Sequence, residues 1–90
     1  MKLYKFFWDC GRMGSVEGLF AANPKTISDA IGKEVYFGEI LGKHSEIFGP
    51  LNEKDLEEIP IEESAVEKIV SVTGTSISGY NPLDYLSEEE

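Results

Sequence analysis

The stretch "GEILGKHSEIFG", Gly38 to Gly49, holds the only histidine of the chain. Lys43, His44 and Ser45 follow Gly42 directly, so a cation, an imidazole that titrates near neutrality and a hydroxyl stand side by side. Glu39 and Glu46 flank them and are placed to orient the imidazole. Such a set suits a phosphate or another anion, and it also suits a plain turn in which Gly42 supplies a positive φ. A second set lies in "WDCGRMGS". Arg12, the only arginine, sits between glycines, where a planar guanidinium can grip a phosphate or carboxylate with two bonds. Trp8, the only tryptophan, can stack on a base or fill the core. The candidate ligand-binding residues are therefore Arg12, Lys43, His44 and Ser45, with Trp8 and Tyr36 as aromatic neighbours.

Other chemistries find less support. The chain has no G-x-x-x-x-G-K-[ST] phosphate loop. Cys10 stands beside Asp9 with no activating base nearby in sequence, so a buried or inert thiol is expected. Nothing in the sequence brings Cys10 and His44 together as a nucleophile and base. One cysteine and one histidine do not make a structural zinc site, and "NEKDLEE" lacks the spacing and central glycine of a calcium loop. No metal or cofactor is expected. In "SISGYNPLDY", Asn81 and Pro82 read as the start of a helical turn, with Tyr80 and Tyr85 as minor core contacts.

These turns need elements to hold them. "KLYKFFWDC" alternates as a strand, with Tyr4, Phe6 and Trp8 on one face and Leu3, Lys5, Phe7 and Asp9 on the other. "SVEGLFAA" returns as its hairpin partner. In "NPKTISDAIG", Asn23 caps a helix, Pro24 opens it, Ile27, Ala30 and Ile31 form its inner stripe, and Gly32 stops it. "KEVYFGEIL" and "SEIFGPL" form a second hairpin, and Pro50 ends the fourth strand or confines it to an edge. "LEEIPI" suggests a short fifth strand. "EESAVEKIVSVTG" is a second helix with Val66, Ile69 and Val70 inward, a capping box from Ser64 and Glu67, and Gly74 at its end. The order predicts an α+β fold: an antiparallel sheet of four to five strands in two hairpins, with both short helices on one face. The expected division is a single domain over 1–86 and an acidic tail over 87–90.

The chain has 90 residues and a net charge of −9. Up to residue 52 it holds six acids and six bases; from residue 53 it holds eleven acids against Lys54 and Lys68. Binding to a nucleic-acid backbone or an anionic membrane needs a basic surface, so neither is expected. A single cysteine excludes an internal disulfide and fits a reducing, cytoplasmic setting. The N-terminal apolar run is interrupted by Lys5 and Asp9 and does not read as a signal peptide. Aromatics on both faces of the first strand predict that a partner covers one face, most simply another copy in a homo-oligomer.

In size, acidity, single-domain organisation and lack of a catalytic set, the chain resembles small phage-encoded counter-defence and host-takeover proteins. The resemblance implies stoichiometric binding, either of a nucleotide-like signal or of a basic host protein. The expected function is a non-enzymatic protein that sequesters a small anionic, nucleotide-like ligand. The alternatives are an acidic inhibitor that binds a basic host protein through residues 53–90, and a small enzyme with His44 as general base.

Overall fold

The computed structural model describes residues 1–87. Its strands are β1 (Lys2–Asp9), β2 (Ser15–Ala22), β3 (Glu34–Gly38), β4 (Ile47–Pro50), β5 (Leu56–Ile59) and β6 (Ser76–Gly79). Helix α1 (Pro24–Ala30) joins β2 to β3, and α2 (Glu63–Thr73) joins β5 to β6. The fold is α+β. One sheet has four antiparallel strands in the order β5-β1-β2-β6, and β3 and β4 form a separate antiparallel pair.

The β1–β2 ladder is continuous from Lys2 opposite Ala22 to Asp9 opposite Ser15. The period of two sorts its side chains into two cores. Tyr4, Phe6, Val16, Phe20 and Ala22 face one way and are buried with Ile27 and Ala30 of α1 and with Val35, Phe37, Ile47 and Leu51. Leu3 and Ala21 face the other way, against Val66 of α2, with Leu19, Ile59, Val70 and Ile77 around them. The expectation that both helices share one face is thereby corrected. β1 carries large apolar side chains at both parities, so each face needs a cover. The β3–β4 hairpin with α1 covers the Tyr4–Phe6 face, and α2 covers the other around Leu3 and Ala21. On the α2 side Phe7 stays 46% exposed, so that face is covered only in part within the chain.

The segment read as a single helical turn near the C-terminus also holds a strand. β6 adds to the edge of β2, and a 3-10 turn follows at Pro82–Tyr85, where the Asn81 side chain accepts from Leu83 N–H. Gly18 explains how β6 fits. A Cβ built there would lie 1.7 Å from the Tyr80 carbonyl oxygen, so only glycine lets the two backbones approach. The capping box expected from Ser64 and Glu67 does not form, because α2 begins two residues earlier, at Glu63, and Glu62 occupies the cap position. Ser87 donates its N–H to the Glu34 carbonyl, and Leu86 bridges to Val35, so the chain is tied to β3 as far as residue 87. The rest of the expected acidic tail lies outside the described residues.

The candidate functional site between two turns

The link from β1 to β2 is tight. The Asp9 carboxylate accepts from Gly11 N–H at 2.9 Å, and Gly11 and Gly14 take φ of 67° and 114°, conformations that favour glycine. Arg12 stands exposed on the intervening 3-10 turn, Gly11–Met13. The link from β3 to β4 is longer and contains one turn bond, from Ser45 N–H to the Gly42 carbonyl. The left-handed residue of that turn is His44, with φ 64°, and Gly42 is not among the positive-φ residues. The expected role of Gly42 is therefore corrected. The positive φ falls on the third residue of the turn, where glycine or asparagine is usual, and histidine is among the side chains that tolerate it. Lys43 and His44 are exposed, and Ser45 is half-buried.

Residues of the first turn and Glu46, the last residue of the second link, line one cleft of about 400 Å³. One wall is Asp9, Cys10 and Met13 from the first turn. The other is Glu46 and the whole of β4. Trp8, Asn52 and Asp55 complete the lining. The Trp8 indole N–H donates to the Asp55 carboxylate at 2.7 Å, and the same oxygen accepts from Asn52 N–H at 2.9 Å. The Trp8 ring also stands edge-on to Phe37 at 5.5 Å and lies under Gly49. Trp8 is thus fixed as part of the cleft wall by a bond to its only polar atom.

The six candidates separate in a definite way. Trp8 lines the cleft. Arg12, Lys43, His44 and Ser45 stand on the turns beside it without lining it. Tyr36 lies on the outer face of the second hairpin, opposite Phe48, with ring centroids 6.2 Å apart. Its phenol is pushed above the ordinary value, chiefly by its hydrogen-bonding interaction with the Glu46 carboxylate and then by partial desolvation. The residues that sequence reasoning missed are the cleft carboxylates Asp9 and Asp55 and its exposed apolar members Met13 and Phe48, and it read Glu46 only as a partner for His44. Phe48 is 57% exposed. The signal for Phe48 was the strand alternation that sends Ile47 inward. Asp55 carried none, since its partner Trp8 is 47 positions away.

Cys10 lines the cleft, and burial first and Asp9 second push its thiol above the ordinary value, away from the reactive thiolate. Among the described residues no three metal-binding side chains come together, and no helix is long and apolar enough to cross a membrane. No family model, curated protein or solved structure matches the chain.

Proposed function

We propose that this chain is a stoichiometric, non-enzymatic binding protein whose site is the cleft between the two turns, and that its ligand is a basic, partly apolar segment of another protein. The observation that carries this reading is the lining: the carboxylates of Asp9, Glu46 and Asp55 stand with the apolar Met13 and Phe48, and no basic residue joins them. A cationic side chain with an aliphatic stem matches both halves of that surface. The carboxylates come from both halves of the chain, so the acidic surface over 53–90 contributes only Asp55. The cleft is complete within one protomer and needs no second copy. A host-takeover protein that occupies a basic host surface in the cytoplasm is the setting this reading fits.

The second reading keeps the anionic, nucleotide-like ligand. The observation in its favour is that Arg12 adjoins Met13 and that Lys43, His44 and Ser45 run into Glu46, both of which line the same cleft. Titration calorimetry against lysine-rich peptides and a nucleotide panel separates the two. The first reading expects peptide binding that falls about tenfold in Glu46→Lys, where one attraction becomes a repulsion, and that weakens as salt rises. The second expects nucleotide binding that falls by about 1.5–3 kcal/mol in Arg12→Ala or His44→Ala, the scale of a charge-assisted hydrogen bond. Binding of nucleotides and not of basic peptides overturns the first reading.

A further inference from the structure

We infer that the basic partner enters the cleft as an extended strand that pairs with the outer edge of β4. The inference rests on the reading above and adds the mode of recognition. Four consecutive β4 residues, Ile47 to Pro50, line the cleft, so the groove runs along the strand. Among the described residues nothing pairs with that edge, since β4 has β3 as its one neighbour. By contrast, the far edge of β3 is closed by the bridge from Val35 to Leu86.

The direction of the backbone groups follows from one bond. Leu51 N–H donates to the Lys33 carbonyl at 2.9 Å and so points toward the β3 side. Successive N–H groups along a strand point to opposite sides, so Gly49 also faces β3, in register with Val35. Phe48 and Pro50 face outward. The open edge thus offers the N–H and C=O of Phe48 and the C=O of Pro50. Pro50 has no N–H, so it costs the core pairing nothing at this position and limits how far a visiting strand can run.

Charge selects the occupant. A second copy adding edge to edge brings the same Glu46 and Asp55 carboxylates against their equivalents, on a chain of net charge −9. A strand with lysine or arginine at alternate positions sets its cations on one face, toward Asp55 and Asp9 or toward Glu46, with backbone bonds to Phe48 for affinity. The exposed Phe48 or Met13 side chain on that face offers apolar surface to the aliphatic stems.

The test uses short fluorescent peptides with the whole chain. The probes are alternating lysine–valine, alternating glutamate–valine, oligolysine, and the lysine–valine peptide N-methylated at every second residue so that one edge loses its N–H groups. The expected result has three parts. The lysine–valine peptide binds and the glutamate–valine peptide does not. N-methylation of the pairing edge weakens binding about tenfold or more, the scale of one to two lost hydrogen bonds. The Phe48 amide gains protection from hydrogen exchange in the complex. Equal binding of the N-methylated peptide, with Phe48 unprotected, overturns strand addition and leaves the cleft reading intact. Failure of both lysine–valine and oligolysine peptides to bind overturns the cleft reading itself. Edge pairing of two copies, seen as a dimer by sedimentation with Phe48 protected in the absence of peptide, overturns the choice of occupant.

Discussion

The two hairpins of this molecule use similar residues for opposite ends. β1–β2 is an unbroken ladder closed by a short turn with a carboxylate and two glycines in place. β3–β4 is short, its register shifts between Tyr36 and Gly38, and an eight-residue link from Glu39 to Glu46 joins its strands. The first hairpin has a neighbour on each edge and a buried core against each face, the α2 side being covered around Leu3 and Ala21 while Phe7 stays exposed. The second has one covered face, with Val35, Phe37 and Ile47 in the core, and one bare face, with Tyr36 and Phe48. A strand covered on both sides makes scaffold. A strand covered on one side and open at its edge is free to present groups to a partner. The comparison locates function in the less regular hairpin, and substitutions in each test it.

The largest effect is expected where the second hairpin is anchored to the first. Phe37 is buried, and its ring meets Phe6 at 5.9 Å, Tyr80 at 5.7 Å and Tyr85 at 4.8 Å. Phe37→Ala leaves a large cavity at the junction of four elements and costs about 3–5 kcal/mol, much of the stability of a domain this size. Urea unfolding with tryptophan fluorescence measures it, because Trp8 packs on the same ring. Phe48→Ala on the bare face is the matched control and shifts the midpoint little. If the two cost the same, the division into scaffold and presenting hairpin fails.

Next in size is Gly18→Ala in the middle of the first hairpin. The added methyl meets the Tyr80 backbone, so β6 and the turn after it must shift away from β2. A loss of about 2–3 kcal/mol is expected, the scale of overpacking against backbone that cannot yield. Hydrogen exchange should show it locally: the Tyr80 amide, which donates to the Glu17 carbonyl, loses protection, while β1 amides paired with β5 keep theirs. Uniform loss across the sheet contradicts the local account.

What the sequence made legible follows the same divide. Both helices, the first hairpin and the alternation in β3 are set by local periodicity and turn residues, and each formed near its expected place, although Asn23 makes no side-chain cap bond to α1; of the expected caps, Asn81 forms. β6 was missed because "SISG" has a single large apolar residue, Ile77, and is held mostly by backbone bonds to β2. The faces of α1 and α2 depend on which parity of β1 each connection reaches, which no local pattern records. The site was half legible for a related reason. Glycine-rich turns announce themselves, and they drew attention to Arg12 and His44. The cleft is made by residues brought together in space, Asp55 above all, which bonds to Trp8 from 47 positions away.

A smaller effect tests the backbone of the presenting link. His44 holds φ 64°, a conformation that costs an L-residue about 1–2 kcal/mol and glycine little. His44→Gly should therefore stabilise, by up to about 1 kcal/mol after glycine's greater freedom in the unfolded chain is set against the relief, and raise the melting temperature by a few degrees. His44→Ala keeps the cost and should sit close to the native protein. If glycine destabilises, the His44 side chain holds the link in place and is structural.

The smallest effect lies on the bare face itself, between Tyr36 and Glu46. The carboxylate favours the protonated phenol, so Tyr36 should titrate above the ordinary tyrosine value of about 10. The sign for stability follows. A group whose pKa is raised on folding contributes stability that is fully present below the unfolded value and is lost as pH climbs through the folded one. Any contribution from this pair therefore disappears only in strongly alkaline solution and has no bearing near neutrality. Ring signals of Tyr36, assigned by their loss in Tyr36→Phe, report the titration directly. Glu46→Gln removes the charge that opposes ionisation and should bring the midpoint down toward the ordinary value. A basic peptide in the cleft that engages Glu46 draws the same carboxylate away from the phenol and should move the midpoint in the same direction. A midpoint unchanged by Glu46→Gln means that the two side chains are not coupled in solution, and Tyr36 then reports nothing about the cleft.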